Sequence, residues 1–138
     1  MQPESKRKGK KSVQVLLVDD HEMIRQGLRA VLESYDDVTI VGEAVNGEEA
    51  VTAVEKLRPQ VVVMDINMPK MNGIEATGRI KQRYPETVVI GLSVNTAEDN
   101  QEAMRRAGAG RLMNKEAAVE QLYDAIQEAC NPGRPKVP

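Results

Sequence analysis

The sequence contains very few aromatic side chains: three tyrosines, and neither phenylalanine nor tryptophan, among 138 residues. A hydrophobic core must therefore be built mainly from aliphatic side chains, and a hydrophobic content of 41% is enough for one. A chain of this length corresponds to a single domain.

Cysteine and long apolar segments are also scarce. Cys130 is the single cysteine, so the chain has no internal disulfide, as is typical of proteins in a reducing cytoplasm. No apolar run approaches the roughly 18 residues that a membrane-spanning helix needs. The lysine-rich start has no apolar segment behind it that would make a signal peptide. We therefore expect a cytoplasmic protein without membrane contact.

The charge is unevenly distributed. Residues 1–12 carry five basic and one acidic residue, a net charge of +4, whereas the remainder carries −6. A segment with so little apolar surface is expected to be disordered. We predict a flexible basic tail or linker at 1–11, a folded domain at 12–130 and a Pro-rich tail at 131–138. The tail lysines allow weak nucleic-acid binding, but the chain offers no element for sequence-specific recognition.

Strand and helix patterns alternate along the chain. Five short apolar runs predict strands at 13–18, 38–42, 60–64, 87–92 and 110–113. Each run is followed by a helical pattern, at about 21–34, from Asn46 to before Pro59, from Asn72 to before Pro85, 96–107 and 116–129. Such alternation predicts an open sheet or a barrel, and five units are too few for a barrel of about 250 residues. The predicted fold is α/β, a doubly wound five-stranded parallel sheet of the flavodoxin-like (βα)5 type with strand order 2-1-3-4-5.

Polar residues follow four of these strands at the point where each strand ends. They are Asp19, Asp20, Asp65, Ser93 and Lys115. The carboxyl ends of parallel strands lie along one edge of the sheet, where ligands bind, so we expect these side chains to converge. The acidic residues follow the first and third strands, between which the predicted strand order reverses.

Three clustered carboxylates favour a Mg²⁺ site. We expect Asp20 and Asp65 to bind the ion directly and Asp19 to bind it directly or through water. Asp65 follows a buried strand and is the best candidate for a nucleophile that forms an aspartyl phosphate. Lys115 and Ser93 would then neutralise and hydrogen-bond the phosphoryl oxygens. His21 is expected to cap the next helix or to lie solvated beside the acidic pocket. We do not expect it to bind the metal ion, because an oxygen-rich site favours a hard cation.

These motifs resemble the receiver domains of bacterial response regulators, in the CheY-like superfamily. The matching stretches are Val-Leu-Leu-Val-Asp-Asp-His at 15–21, Val-Val-Val-Met-Asp-Ile-Asn-Met-Pro-Lys-Met-Asn-Gly at 61–73, Ser93, and Gly108-Ala109 ahead of Lys115. The third-strand motif is highly specific, and the Asp-Asp-His start favours the NarL/FixJ-like subgroup.

The resemblance implies that a histidine kinase or histidine phosphotransfer domain donates a phosphoryl group to Asp65. It implies Mg²⁺ as cofactor, held by Asp19, Asp20, Asp65 and the backbone carbonyl of Asn67. It also implies a homodimer as a further partner, and Ser93 and Lys115 as the groups that bind the phosphoryl group. We further predict that Asn67 and Asn95 orient the water that hydrolyses the phosphorylated state.

Three departures from the family pattern concern signal output. Leu112 replaces the usual aromatic residue, and Arg111 and Asn114 stand where small and apolar residues are usual in this subgroup. Glu116 stands where many receivers have proline, so we predict a trans Lys115–Glu116 peptide bond.

Several functional contexts stay open. The basic linker favours the receiver of a hybrid sensor kinase or multi-domain regulator, and the alternative is the excised receiver of a NarL/FixJ-type DNA-binding transcription regulator. In either context we do not expect the fragment itself to be an enzyme, apart from self-phosphorylation and autodephosphorylation. A parent hybrid kinase would be a protein-histidine kinase. A Mg²⁺-dependent aspartyl-phosphate hydrolase is less favoured, because Asn67 replaces the second aspartate of an Asp-x-Asp motif. A phosphorylation-independent interaction domain disagrees with the intact acidic residues.

Overall fold

A computed structural model of the chain describes residues 12–95 and 97–130. The predicted tails at 1–11 and 131–138, and the predicted helix start at Thr96, lie outside the described residues. No helix in the described part of the chain combines the length and hydrophobicity that crossing a membrane requires.

Five strands alternate with five helices in this part of the chain. The strands are β1 (Val13–Val18), β2 (Val38–Ala44), β3 (Val61–Asp65), β4 (Val88–Ser93) and β5 (Arg111–Asn114). The helices are α1 (Glu22–Glu33), α2 (Gly47–Leu57), α3 (Gly73–Arg83), α4 (Glu98–Ala107) and α5 (Lys115–Cys130). Every predicted element is present, with its ends within about two residues of the prediction.

The strands form one parallel sheet in the order β2-β1-β3-β4-β5, which confirms the predicted fold. Val18 pairs with Met64 in the register between β1 and β3, and Asp65 pairs with Leu92 in the register between β3 and β4. The carboxyl ends of these three strands therefore lie side by side.

Helices cover both faces of the sheet, so two hydrophobic clusters share the strands. Val15 and Leu17 of β1 belong to the cluster that also contains buried side chains of α1 and α5. Leu16 and Val18 belong to the opposite cluster, which contains side chains of α2, α3 and α4. All residues of β3 are buried, so Asp65 stands at the end of a strand that is packed on both faces.

The predicted helix ends are confirmed. The Asn46 and Asn72 side chains each accept a hydrogen bond, at 2.9 Å, from a backbone N–H in the first turn of α2 and α3. Gly108 ends α4 with a φ of 111°, a conformation that glycine adopts without strain.

Candidate functional site

An acidic cluster lies at the carboxyl edge of the sheet, beyond β1 and β3. Ligand atoms of Asp19, Asp20, His21 and Asp65 all lie within 4.8 Å of one another. Asp19 and Asp65 are buried, with 1% and 0% of their surface exposed, whereas the Asp20 side chain keeps 29% exposed. The register of β1 against β3 thus brings together acidic residues that are more than 40 positions apart in the sequence.

The Lys115 ammonium lies between the two buried carboxylates. Its Nζ is 2.9 Å from Asp19 Oδ2 and 3.1 Å from Asp65 Oδ2. Lys115 is the first residue of α5, and the Asn114 side chain accepts the Glu116 N–H at 2.7 Å. Asn114 therefore caps the helix that carries the lysine, which explains a polar residue at this departure from the family pattern. The Lys115–Glu116 peptide bond is trans, as predicted.

The Asp65 carboxylate is held in a fixed orientation. Its Oδ1 accepts the backbone N–H of Asn67 at 3.1 Å. Burial raises the pKa of Asp65 to about 6, and the negative charge of Asp19 adds to this, while the Asn67 N–H and Lys115 oppose it. Burial alone would lower the pKa of Lys115, but Asp19 and Asp65 outweigh it and hold that pKa above its usual value. One ammonium therefore does not fully compensate the two buried carboxylates.

The donor set fits a hard divalent cation. Asp19 Oδ2 and Asp65 Oδ2 are buried, and neither accepts a hydrogen bond from any described residue beyond its ion-pair contact with Lys115. Buried oxygens with lone pairs to spare are the ligands that Mg²⁺ prefers, and the exposed side of Asp20 leaves access for water. The chemistry of this pocket thus agrees with the predicted magnesium site.

His21 lies beside the acidic pocket, at the position that precedes α1. Its Nδ1 is 3.0 Å from Asp19 Oδ1 and 3.1 Å from Asp20 Oδ1, and its backbone N–H donates to Asp19 Oδ1 at 2.8 Å. The side chain is 60% exposed and caps no N–H of α1 among the described residues. His21 therefore lies solvated beside the acidic pocket, which is one of its two predicted positions, and does not cap the helix with its side chain.

Two glycines hold the loop between β3 and α3 close to the site. The Gly73 N–H donates to Ile66 O at 3.2 Å, and the Gly47 N–H donates to Met71 O at 2.8 Å. A Cβ atom added at Gly73 would lie 2.2 Å from Asp65 O, and one added at Gly47 would lie 2.2 Å from Met71 O. Sequence reasoning missed this role, although both glycines directly follow a capping asparagine.

Ser93 and Asn95 make hydrogen bonds within their own loop. Ser93 Oγ donates to Asn95 O at 2.8 Å and accepts the Asn95 N–H at 2.9 Å. Asn95 Oδ1 accepts the Ala97 N–H at 2.9 Å. The structure therefore brings Lys115 and the Asn67 backbone to the acidic residues, while the Ser93 hydroxyl is directed to the β4–α4 loop.

Sequence reasoning also missed Arg25. Its guanidinium donates from Nη1 to the backbone carbonyl of Asp19 at 2.6 Å. An arginine on an amphipathic helix carries no sequence signal that separates it from ordinary surface charges, so only the structure reveals the contact.

Residues 15–127 match the family described as the response regulator receiver domain. The chain is 37% identical to the transcriptional regulatory protein DegU of Brevibacillus brevis over 91% of its length, and 38% identical to LiaR of Bacillus subtilis over 91%. These matches cover only 54% of DegU and 59% of LiaR, so the chain spans a little more than half the length of these curated relatives.

Solved structures of receiver domains have the same fold as this chain. The response regulator domain of Thermotoga maritima CheB superposes with a TM-score of 0.81 at 32% identity, covering 87% of this chain and 97% of that one. The non-phosphorylated receiver domain of Escherichia coli RcsB superposes with a TM-score of 0.81 at 25% identity, covering 92% and 98%. The chain belongs to the response regulator receiver domain family of two-component signal transduction systems.

Proposed function

We propose that this receiver domain, at residues 12–130, is a phosphoacceptor that takes a phosphoryl group onto Asp65 from a histidine kinase or histidine phosphotransfer domain. The observation that carries the proposal is the position of the Asp65 carboxylate, at the end of a fully buried strand and 3.1 Å from the Lys115 ammonium. A carboxylate that is fixed in place and paired with a cation suits nucleophilic attack on phosphorus.

The transfer is a displacement at phosphorus. A carboxylate oxygen of Asp65 forms the new P–O bond, the P–N bond of the donor phosphohistidine breaks, and its electron pair stays on the departing imidazole. Lys115 contacts Asp65 Oδ2 and would offset the charge that the phosphoryl oxygens bring into the pocket. The domain thus acts as a switch rather than as an enzyme with a separate substrate, apart from its own phosphorylation and dephosphorylation.

Asp19, Asp20, Asp65 and the Asn67 backbone carbonyl would hold Mg²⁺. The bound ion supplies positive charge that neutralises the phosphoryl oxygens during transfer. To donate to a phosphoryl oxygen, the Ser93 hydroxyl would have to give up the hydrogen bond that it donates to Asn95 O, whereas it could still accept the Asn95 N–H. The side chains of Asn67 and Asn95 would orient the water for dephosphorylation.

The relatives support one parent context. DegU and LiaR are transcriptional regulatory proteins, and NarL of Escherichia coli, 33% identical over 84% of this chain, is a nitrate/nitrite response regulator. We infer that the domain serves a DNA-binding regulator of the NarL/FixJ type, in preference to a hybrid sensor kinase. We do not expect the domain itself to recognise a DNA sequence, because a strand separates each described helix from the next and the described residues therefore contain no helix-turn-helix.

Phosphorylation can be tested by intact mass. Incubation with acetyl phosphate and Mg²⁺ should add the mass of one phosphoryl group, and acetate leaves as the P–O bond of the donor breaks. Asp65→Asn should abolish the gain, and so should EDTA. Asp99→Asn, an exposed position on α4, is the matched control and should label like wild type. Stoichiometric labelling of Asp65→Asn would refute the assignment of the acceptor.

A further inference from the structure

Arg25 of α1 connects that helix to the acidic end of β1. Its Nη1 donates to the Asp19 carbonyl at 2.6 Å, and its Nε donates to Glu43 Oε1 of β2 at 2.8 Å. Only 14% of the Arg25 side chain is exposed, so the guanidinium lies between the helix and the sheet rather than in solvent. It is a planar group with separate donors, which can hold two acceptors at once in a fixed relation.

Both polar groups of the Asp19 backbone are hydrogen-bonded, one directly to β2 and the other to Arg25. The Asp19 N–H donates to Ala44 O at 3.1 Å, and the Asp19 carbonyl accepts from Arg25, which Glu43 holds in turn. Arg29 also contacts Glu43, with Nη1 2.6 Å from Oε2, but it makes no contact with Asp19 among the described hydrogen bonds. Arg25 and Arg29 thus share one partner and differ in whether they reach the site.

We propose that Arg25 is a positioning residue for the metal site, acting through the Asp19–Asp20 peptide group. The Asp19 carbonyl belongs to the peptide bond that leads to Asp20, so a hydrogen bond to that oxygen fixes the plane from which the Asp20 side chain projects. Asp20 needs this more than Asp19 does, because its partly exposed side chain is less constrained by packing. The inference rests on the proposed function, since it assumes that the acidic cluster binds Mg²⁺.

A purely electrostatic role makes the opposite prediction. Replacing Arg25 with a neutral residue removes a positive charge near an acidic cluster and leaves Arg29 as the remaining described partner of Glu43, which increases the attraction for a divalent cation. Arg29→Gln changes the charge in the same way. A charge effect alone would therefore tighten Mg²⁺ binding in both variants, by no more than about twofold at physiological salt. A positioning effect weakens binding in the Arg25 variant only.

The test is calorimetric titration of the full 138-residue chain with Mg²⁺. Arg25→Gln should raise the Kd about tenfold, the lower end of the loss seen when groups behind metal ligands are removed. Arg29→Gln should stay within about twofold of wild type. Arg25→Lys should be intermediate, because a single ammonium can reach the Asp19 carbonyl but cannot reproduce the two-acceptor geometry.

A metal-free measurement tests the same inference independently of Mg²⁺. In EDTA, amide hydrogen exchange at Asp19 and His21 should speed up in Arg25→Gln, because both N–H groups depend on the arrangement of this segment. The same amides should keep their wild-type protection in Arg29→Gln.

The outcomes separate the inference from the proposed function. Wild-type protein that fails to bind Mg²⁺ would overturn the proposed function and the inference with it. Wild-type binding with an unchanged or lower Kd in Arg25→Gln would overturn the inference alone, and so would an equal loss in Arg29→Gln. If Arg25→Gln does not fold, Arg25→Lys decides, since a wild-type Kd in that variant contradicts the positioning role.

Discussion

The two halves of the sheet's carboxyl edge differ in how far their polar groups are already arranged for phosphoryl transfer. At the ends of β1 and β3, Asp19 and Asp65 are buried and contact the Lys115 ammonium directly. At the end of β4, the Ser93 hydroxyl is bound to the Asn95 backbone, and Val94 beside it is 70% exposed. The charged groups of the first half are preassembled, whereas the Ser93 hydroxyl of the second half would have to exchange a hydrogen bond before it could contact a phosphoryl group.

The largest expected effect tests the rigidity of the β1–β3 half. Gly73→Ala would place a Cβ 2.2 Å from the Asp65 carbonyl oxygen, which only a backbone shift can relieve. We expect a loss of about 3 kcal/mol or more in the free energy of unfolding, measured by urea denaturation. The displaced loop carries Asn67, so phosphorylation should slow as well.

Gly78→Ala is the matched control in the same helix. Apart from its chain neighbours and the backbone of its own helix, a Cβ at Gly78 would meet no described atom within 4 Å, so alanine there should stabilise the fold by about 0.5–1 kcal/mol through its helix propensity. Equal stability changes in the two variants would show that the β3–α3 loop is not held by close packing at Gly73.

A smaller effect concerns the stability that the fold loses when the buried Asp65 carboxylate in the β1–β3 half is charged. The pKa of Asp65 rises from 3.8 to about 6 on folding, so the folded protein binds this proton more tightly than the unfolded chain does. Wild-type stability in EDTA should therefore fall as pH rises through this window. Asp65→Asn lacks that titration and should be more stable than wild type at neutral pH by about 2–3 kcal/mol, because the raised pKa already includes the favourable contact with Lys115.

The sign of this prediction can be checked by denaturation at several pH values. The difference between Asp65→Asn and wild type should vanish below pH 3.8 and reach its full size above about pH 6. Adding Mg²⁺ at neutral pH should stabilise wild type and reduce the difference. If the Asp65→Asn variant is less stable than wild type across the whole pH range, burial of the charged Asp65 carboxylate does not destabilise the fold.

A third prediction concerns the residue that joins the two halves. Asn114 ends β5 and caps α5, next to Lys115. Asn114→Ala should lower the free energy of unfolding by about 1 kcal/mol, as the loss of a cap usually does. Asn114→Asp retains a capping oxygen and should keep wild-type stability, so an equal loss in both variants would exclude the capping role.

The fold followed from the sequence because two independent patterns agree: apolar periodicity located every strand and helix, and parallel topology placed Asp19, Asp65 and Lys115 at one edge. The orientation of Ser93 did not follow, because a hydroxyl can bond to its own loop or to a ligand at similar cost. Arg25 and Gly73 were missed for another reason. The Arg25 side chain contacts a backbone carbonyl and Gly73 lies against the backbone of Asp65, and both approaches are set by the packing of α1 and α3 against the sheet.

The smallest expected effect compares one asparagine from each half. Asn67 uses its backbone N–H to hold Asp65, so Asn67→Met leaves that bond intact and changes only the side chain. The Asn95 side chain already accepts the Ala97 N–H, which makes it less available to orient water. Asn67→Met should therefore slow dephosphorylation about threefold, the effect of one lost hydrogen bond, and Asn95→Leu should slow it less. Loss of the aspartyl phosphate over time, followed by intact mass, measures both rates. If Asn95→Leu has the larger effect, the β4 half takes part in hydrolysis more directly than its present hydrogen bonds indicate, and the contrast between the halves would hold for the unphosphorylated state alone.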